Sequence, residues 1–177
     1  MNKVLMVVLV CLSLAALAGA QAQSPAPNPN TDLLKEFTRS VHLDGVTLSF
    51  VLLNDRTVDA LFEAPGKYAM RARARMATTF FVQGTPEKDI QLDTKLVIEQ
   101  DGQTVTGTAH NIKNFTDGAI TKGTRIDGIL EMQKRLNLTR AFKIRGTHYN
   151  LDFKLTPEAV KLAEPLVPAA PPATQPN

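Results

Sequence analysis

From Val46 to Leu155 the apolar residues of this chain return at every second position. That rhythm restricts the chain to strands with one buried face, because successive side chains of a strand point to opposite sides. Val46, Leu48, Phe50 and Leu52 form one face of a first strand. Val58, Ala60 and Phe62 predict a second, closed by Pro65-Gly66. In Tyr68–Val82, "YAMRARARMATTFFV", the even positions are Tyr68, Met70, Ala72, Ala74, Met76, Phe80 and Val82, and the odd positions carry Arg71, Arg73 and Arg75. On a helix these arginines scatter to opposite sides, so the pattern predicts a third strand with an arginine-bearing wet face.

A fourth strand places Ile90, Leu92, Leu96 and Ile98 inward. Asp101-Gly102 then supplies the strongest short hairpin signal, a two-residue turn. It sets Gln100 opposite Gln103, Ile98 opposite Val105, Leu96 opposite Gly107 and Thr94 opposite Ala109. A strand over about Thr124–Gln133 follows, with Ile126, Leu130 and Met132 inward. The last segment changes phase at Gly146, from Phe142 and Ile144 to Tyr149, Leu151, Phe153 and Leu155, which predicts a bulge or a tight turn there.

Two helices flank the strands. Leu33, Leu34, Phe37 and Val41 share a helical face in "TDLLKEFTRSV". "TPEAVKLAEP" reads as a short helix capped by Thr156, with Pro157 in its first turn. The fold class is therefore mainly β. About seven antiparallel strands form a meander, closed into a strongly curved sheet or up-and-down β-barrel, with an N-terminal helix and a short C-terminal helix. A two-layer β-sandwich is the alternative.

The start of the chain carries an address. A short positive start ending in Lys3, an apolar run over Val4–Ala18, and the small-residue exits Ala18-Gly19-Ala20 and Ala20-Gln21-Ala22 predict a secretory signal peptide over 1–22. Export to the periplasm or the extracellular space follows, with no transmembrane segment in the mature chain. Cys11, the sole cysteine, lies within that run, so the mature chain folds without disulfides. "QSPAPNPN" makes 23–30 a linker, and 165–177 is a Pro/Ala-rich disordered tail. One β-rich domain occupies 31–164. The chain has 20 basic and 17 acidic residues; Lys3 leaves with the leader, so 19 face 17 for a net of +2. That balance does not call for a polyanionic partner.

Chemical motifs are sparse. The mature serines are Ser24, Ser40 and Ser49, and no phosphate-binding glycine loop or helical zinc motif is present. His42, His110 and His148 are isolated in sequence, so neither metal nor cofactor is expected. The hairpin register makes His110 and Asp93 outward cross-strand neighbours, a candidate acid–base pair for a small hydrolase or isomerase. Arg71, Arg73 and Arg75 are candidate anion contacts on the outer face, set against a charge-paired surface with Glu99 or Asp101 as partners. The aromatic interleaving that single-stranded nucleic acid needs is missing, so no nucleic-acid partner is expected. The inward face mixes small Ala72, Ala74, Gly107 and Ala109 with larger Met70, Met76 and Leu96. Such a face either packs against the N-terminal helix or leaves room for an apolar, lipid-like molecule. The sequence thus favours an exported, non-catalytic binding or carrier module of the cell envelope. A structural envelope protein working through its outer basic face and tails is the alternative.

Overall fold

A computed structural model describes residues 29–164. The expected signal segment and the Pro/Ala-rich tail lie outside the described residues. Of the expected linker, only Pro29 and Asn30 are described, and they open the first helix.

Ten strands and four helices follow in the order α1 (Pro29–Phe37), β1 (Thr38–Leu43), β2 (Val46–Leu52), α2 (Asp55–Leu61), α3 (Gly66–Met76), β3 (Thr79–Gly84), β4 (Ile90–Leu92), β5 (Val97–Gln100), β6 (Gln103–Lys113), β7 (Gly118–Ile120), β8 (Ile126–Met132), β9 (Phe142–Gly146), β10 (Tyr149–Phe153) and α4 (Pro157–Ala163). Eight strands make one antiparallel sheet, ordered β1-β2-β3-β8-β6-β5-β9-β10, while β4 and β7 pair separately. β10 comes round beside β1, so the sheet is a nearly closed barrel. Sequential hairpins build both ends of the order, and the middle three strands enter in reverse.

The barrel interior is filled by aromatic rings. Phe80 on β3 lies 6.0 Å from Phe142 on β9 and 5.5 Å from Phe153 on β10, and the last two rings stack 5.0 Å apart. Strands that are not neighbours in the sheet meet through these rings, which defines the inside. Small inward residues are covered locally. A β-carbon at Gly128 would fall 1.9 Å from the Phe115 ring, and one at Gly107 would fall 2.9 Å from both Leu130 and Met132. Phe37, at the end of α1, is wholly buried in the same core.

Two expected strands are helices. Val58, Ala60 and Phe62 belong to α2 and its C-cap, not to a strand. Asn54 accepts hydrogen bonds from the amides of Arg56 and Thr57, and the Thr57 hydroxyl accepts from the Asn54 amide, a complete capping box. Residues 66–76 form α3, so Arg71, Arg73 and Arg75 are helical, and only Thr79–Gly84 of that stretch is strand. Acids flank this helix on both sides. At about 100° per residue, Arg71 and Arg75 share one side and Arg73 takes the other. Arg71 meets Asp59, and Arg75 makes a two-pronged contact with Asp55, with Nε–Oδ1 at 3.1 Å and Nη2–Oδ2 at 2.7 Å. Arg73 turns the other way to Glu131 on β8. Phe62, the C-cap of α2, packs on Phe81 with ring centres 5.3 Å apart, and the outer sheet row Val51, Phe81 and Ile129 is buried although it alternates with the interior positions.

The N-terminal helix also ends sooner than its face suggests, at Phe37; Val41 lies on β1. The expected fourth strand is two, β4 and β5. The Asp101-Gly102 turn forms with φ of +52° and +75°, and Ile98 faces Val105 as expected. The phase change at Gly146 is a tight turn through Thr147–His148. No helix among the described residues is long and apolar enough to cross a membrane.

Candidate functional site

One end of the barrel stays open, and three segments build its mouth. The first is the β1–β2 hairpin. Gly45 takes φ of +88°, where side chains other than glycine are strained. A β-carbon there would also lie 2.5 Å from Cγ of Lys88. The Lys88 stem therefore crosses the turn, and its Nζ reaches Asp44 Oδ1 at 2.6 Å. The Glu87 amide donates to the Gly45 carbonyl at 2.7 Å, so the segment leading into β4 is fastened to the hairpin tip.

The second segment is the β9–β10 turn. Gly146 and Tyr149 are directly opposed, and the phenol ring lies over the glycine backbone. The ring also comes 6.1 Å from Phe50 on β2. Tyr149 has no hydrogen-bond partner for its hydroxyl among the described residues. Burial, and then the negative charge of Asp93, push the phenol far above its usual pKa, so it stays protonated and able to donate.

The third segment is β4 and the chain leaving it. Asp93 Oδ1 accepts the Lys95 amide at 2.9 Å, and Oδ2 accepts the Thr147 hydroxyl. The Thr147 hydroxyl, followed by the Lys95 amide, holds the Asp93 carboxyl below the usual range, so it is ionised. Asp89 accepts the Lys122 amide at 2.8 Å.

Between these walls lies a cavity of about 510 Å³, a size typical of small-molecule sites. Val46, Leu48 and Leu92 give it an apolar floor, with Tyr149 beside them, and His42, His148 and the three aspartates form its rim. His42 Nδ1 lies 2.9 Å from Thr47 Oγ1. The mouth also marks the end of the seam between β1 and β10. At the far end of that seam Arg39 Nη2 donates to the Lys154 carbonyl at 2.6 Å, and its guanidinium sits 5.1 Å from the Phe153 ring centre. The seam is clasped at one end and widens into the cavity at the other.

Of the residues singled out in the sequence, Asp93 is at this mouth and the others fall elsewhere. His110 and Asp93 are not neighbours. The β5–β6 ladder stops at Val97–Thr106, because Asp117 takes the Thr94 amide and Asp93 takes the Lys95 amide. His110 instead lies 3.7 Å from Glu131 and 3.3 Å from Arg73 Nη1, while Asp93 joins the barrel mouth. Ala72 and Ala74 do not line the concave face: α3 carries them on the outside of the barrel, with Ala72 exposed and Ala74 half-buried against the core. Met70 is half-buried on that helix, and Met76 is 80% exposed. Gly107 and Ala109 are on β6 beside β8, and Leu96 is buried. The expected arginine partners are taken by others: Glu99 meets Arg145 and Asp101 meets Arg140. Sequence reasoning missed the mouth, although Gly45, Gly146 and the two histidines beside those turns were its visible markers.

No family model matches this chain, and no curated protein or solved structure shows significant similarity to it.

Proposed function

We propose that this chain is an exported, non-catalytic binding or carrier module that holds a small amphipathic ligand in the barrel mouth. The observation that carries this reading is the cavity itself, an apolar floor of Val46, Leu48 and Leu92 under a polar rim. An apolar body is driven into such a floor by loss of hydrated surface, while a few polar groups fix its orientation. The Phe80–Phe142–Phe153 cluster fills the barrel below, so a ligand occupies the mouth and not the full length.

The test is binding of the neutral dye Nile red, with its fluorescence as readout. The native chain should bind it, and Leu43→Trp, which pushes an indole into the opening, should abolish binding without lowering the melting temperature. A native chain that binds no dye, and that carries no extra mass when purified from its own host, would sink the reading.

A second reading rests on α3. Tyr68 is 70% and Met76 80% exposed, and with Ala72 they form an i, i+4, i+8 stripe on the outer surface. That stripe suits an interaction module of the envelope. Co-sedimentation with envelope fragments that disappears in a Tyr68→Ser/Met76→Ser variant would favour it.

A further inference from the structure

The charges at the mouth are unequal. Asp44 is matched by Lys88 at 2.6 Å. Asp89 and Asp93 remain, and their hydrogen bonds come from neutral donors, the Lys122 and Lys95 amides and the Thr147 hydroxyl. Their carboxylates can only accept, and each oxygen has room for more than one donor. The rim thus holds three carboxylates against one lysine, already paired, and its other side-chain donors include the Tyr149 hydroxyl and the rings of His42 and His148. A fatty-acid carboxylate placed there would meet two like charges, that of Asp93 only partly offset by the weaker influence of Lys95 and His148. The Tyr149 ring adds an aromatic wall, and aromatic faces attract ammonium and guanidinium groups. Among the described residues no three His, Cys, Asp or Glu side chains are grouped to chelate a metal ion, so a bare metal is a poor match.

Resting on the barrel-mouth reading above, we infer that the ligand is an organic cation with an apolar tail: the tail lies on Val46, Leu48 and Leu92, and a primary ammonium or guanidinium lies at Asp93 beside the Tyr149 ring, with Asp89, at the other end of β4, as a second negative charge on the same rim. The cation supplies a charged donor to carboxylates whose hydrogen bonds come from neutral ones. The apolar floor selects against small hydrophilic amines, and the two carboxylates select against anionic amphiphiles of the same length. This is discrimination by repulsion as much as by attraction.

Three probes with one tail separate the possibilities: octylammonium, octanol and octanoate, titrated into the whole chain by calorimetry at neutral pH and low salt. Octylammonium should bind tightest and octanoate weakest, with roughly tenfold or more between them, as expected when one partly exposed charge contact turns from attraction to repulsion. High salt should narrow that gap. Asp89→Asn, which leaves the Asp93–Thr147 contact in place, should already lower octylammonium affinity, and Asp89→Asn/Asp93→Asn should reduce the gap to less than about threefold. Melting curves establish that both variants fold. Equal binding of all three probes, or tightest binding of octanoate, overturns the inference while leaving the cavity reading intact. Binding of none of them brings down both.

Discussion

The ring of Tyr149 lies so close over Gly146 that a β-carbon on the glycine would come within 2.3 Å of the ring Cε1. The two residues are direct partners across β9 and β10. An aromatic ring can cover a bare strand backbone in this way only where the opposing residue has no side chain. Gly146→Ala should therefore push the ring into the barrel mouth and cost about 1–3 kcal/mol through overpacking. Urea unfolding measures the loss, and Nile red affinity should fall with it. A variant as stable and as competent as the native chain would mean that the ring is not held over the glycine.

Arg39 closes the far end of the same seam. It donates to the carbonyls of Thr38 at 2.7 Å, Glu36 at 3.2 Å and Lys154 at 2.6 Å, which joins the end of α1 to the exit of β10. No ladder joins β1 to β10, so side chains carry the closure. Arg39→Ala should cost about 1–3 kcal/mol, from the lost charged hydrogen bonds and the lost contact with the Phe153 ring. Hydrogen exchange should rise in β1 and β10 well before it rises in β3 and β8 at the centre of the sheet. Uniform exchange across the sheet would show that the seam is not the weak line of the barrel.

Acid should weaken the fold through named carboxylates. The Arg71 guanidinium, with Lys67 behind it, holds Asp59 below its ordinary pKa, and the Thr147 hydroxyl and Lys95 amide do the same for Asp93. Both values are depressed in the fold, so the unfolded chain binds more protons in acid and stability rises with pH. The contribution is complete above an ordinary carboxylate value of about 4 and is lost as pH falls through the lower folded values. The melting temperature should thus be level near neutrality and drop below about pH 4. Thr147→Val, which returns Asp93 toward its ordinary value, should make part of that drop shallower. An unchanged acid profile in this variant would contradict the role of the hydroxyl.

The antiparallel sheet, its tight turns and the C-terminal helix were legible because each has a local cause. Asp101-Gly102 sets a turn whatever surrounds it, and Thr156-Pro157 caps a helix with its own atoms, the Thr156 hydroxyl accepting the Ala159 amide at 3.1 Å. The α2–α3 pair was not legible from periodicity, because its apolar positions also alternate. Other signals pointed to helix. Residues 66–76 contain no β-branched residue and are rich in Ala, Met and Arg, all strong helix formers, and Asn54 and Thr57 have the spacing of a capping box. The scatter of the arginines, which argued against a helix, is what a helix needs when acids flank it on both sides. The barrel mouth was hidden for a different reason. Its walls come from residues 42–48, 88–93 and 147–149, and no local pattern reports that these three segments meet.

Ala72 and Ala74 give the sharpest check on that reassignment. On a strand, residues two apart share a face, so enlarging either one has the same consequence. On α3 they lie about 200° apart. Ala72 is exposed on the outer surface, while Ala74 packs half-buried against the core. Ala72→Leu should therefore change stability by no more than about 0.5 kcal/mol, since it adds a helix-favouring side chain in open space. Ala74→Leu forces a larger side chain between helix and barrel and should cost about 1–3 kcal/mol. Neither variant should alter Nile red binding, because α3 lies outside the barrel, away from the mouth. Equal costs for the two would return residues 66–76 to a strand. A loss of binding in Ala74→Leu alone would place the ligand under the helix, and the barrel mouth would then be an empty vestibule.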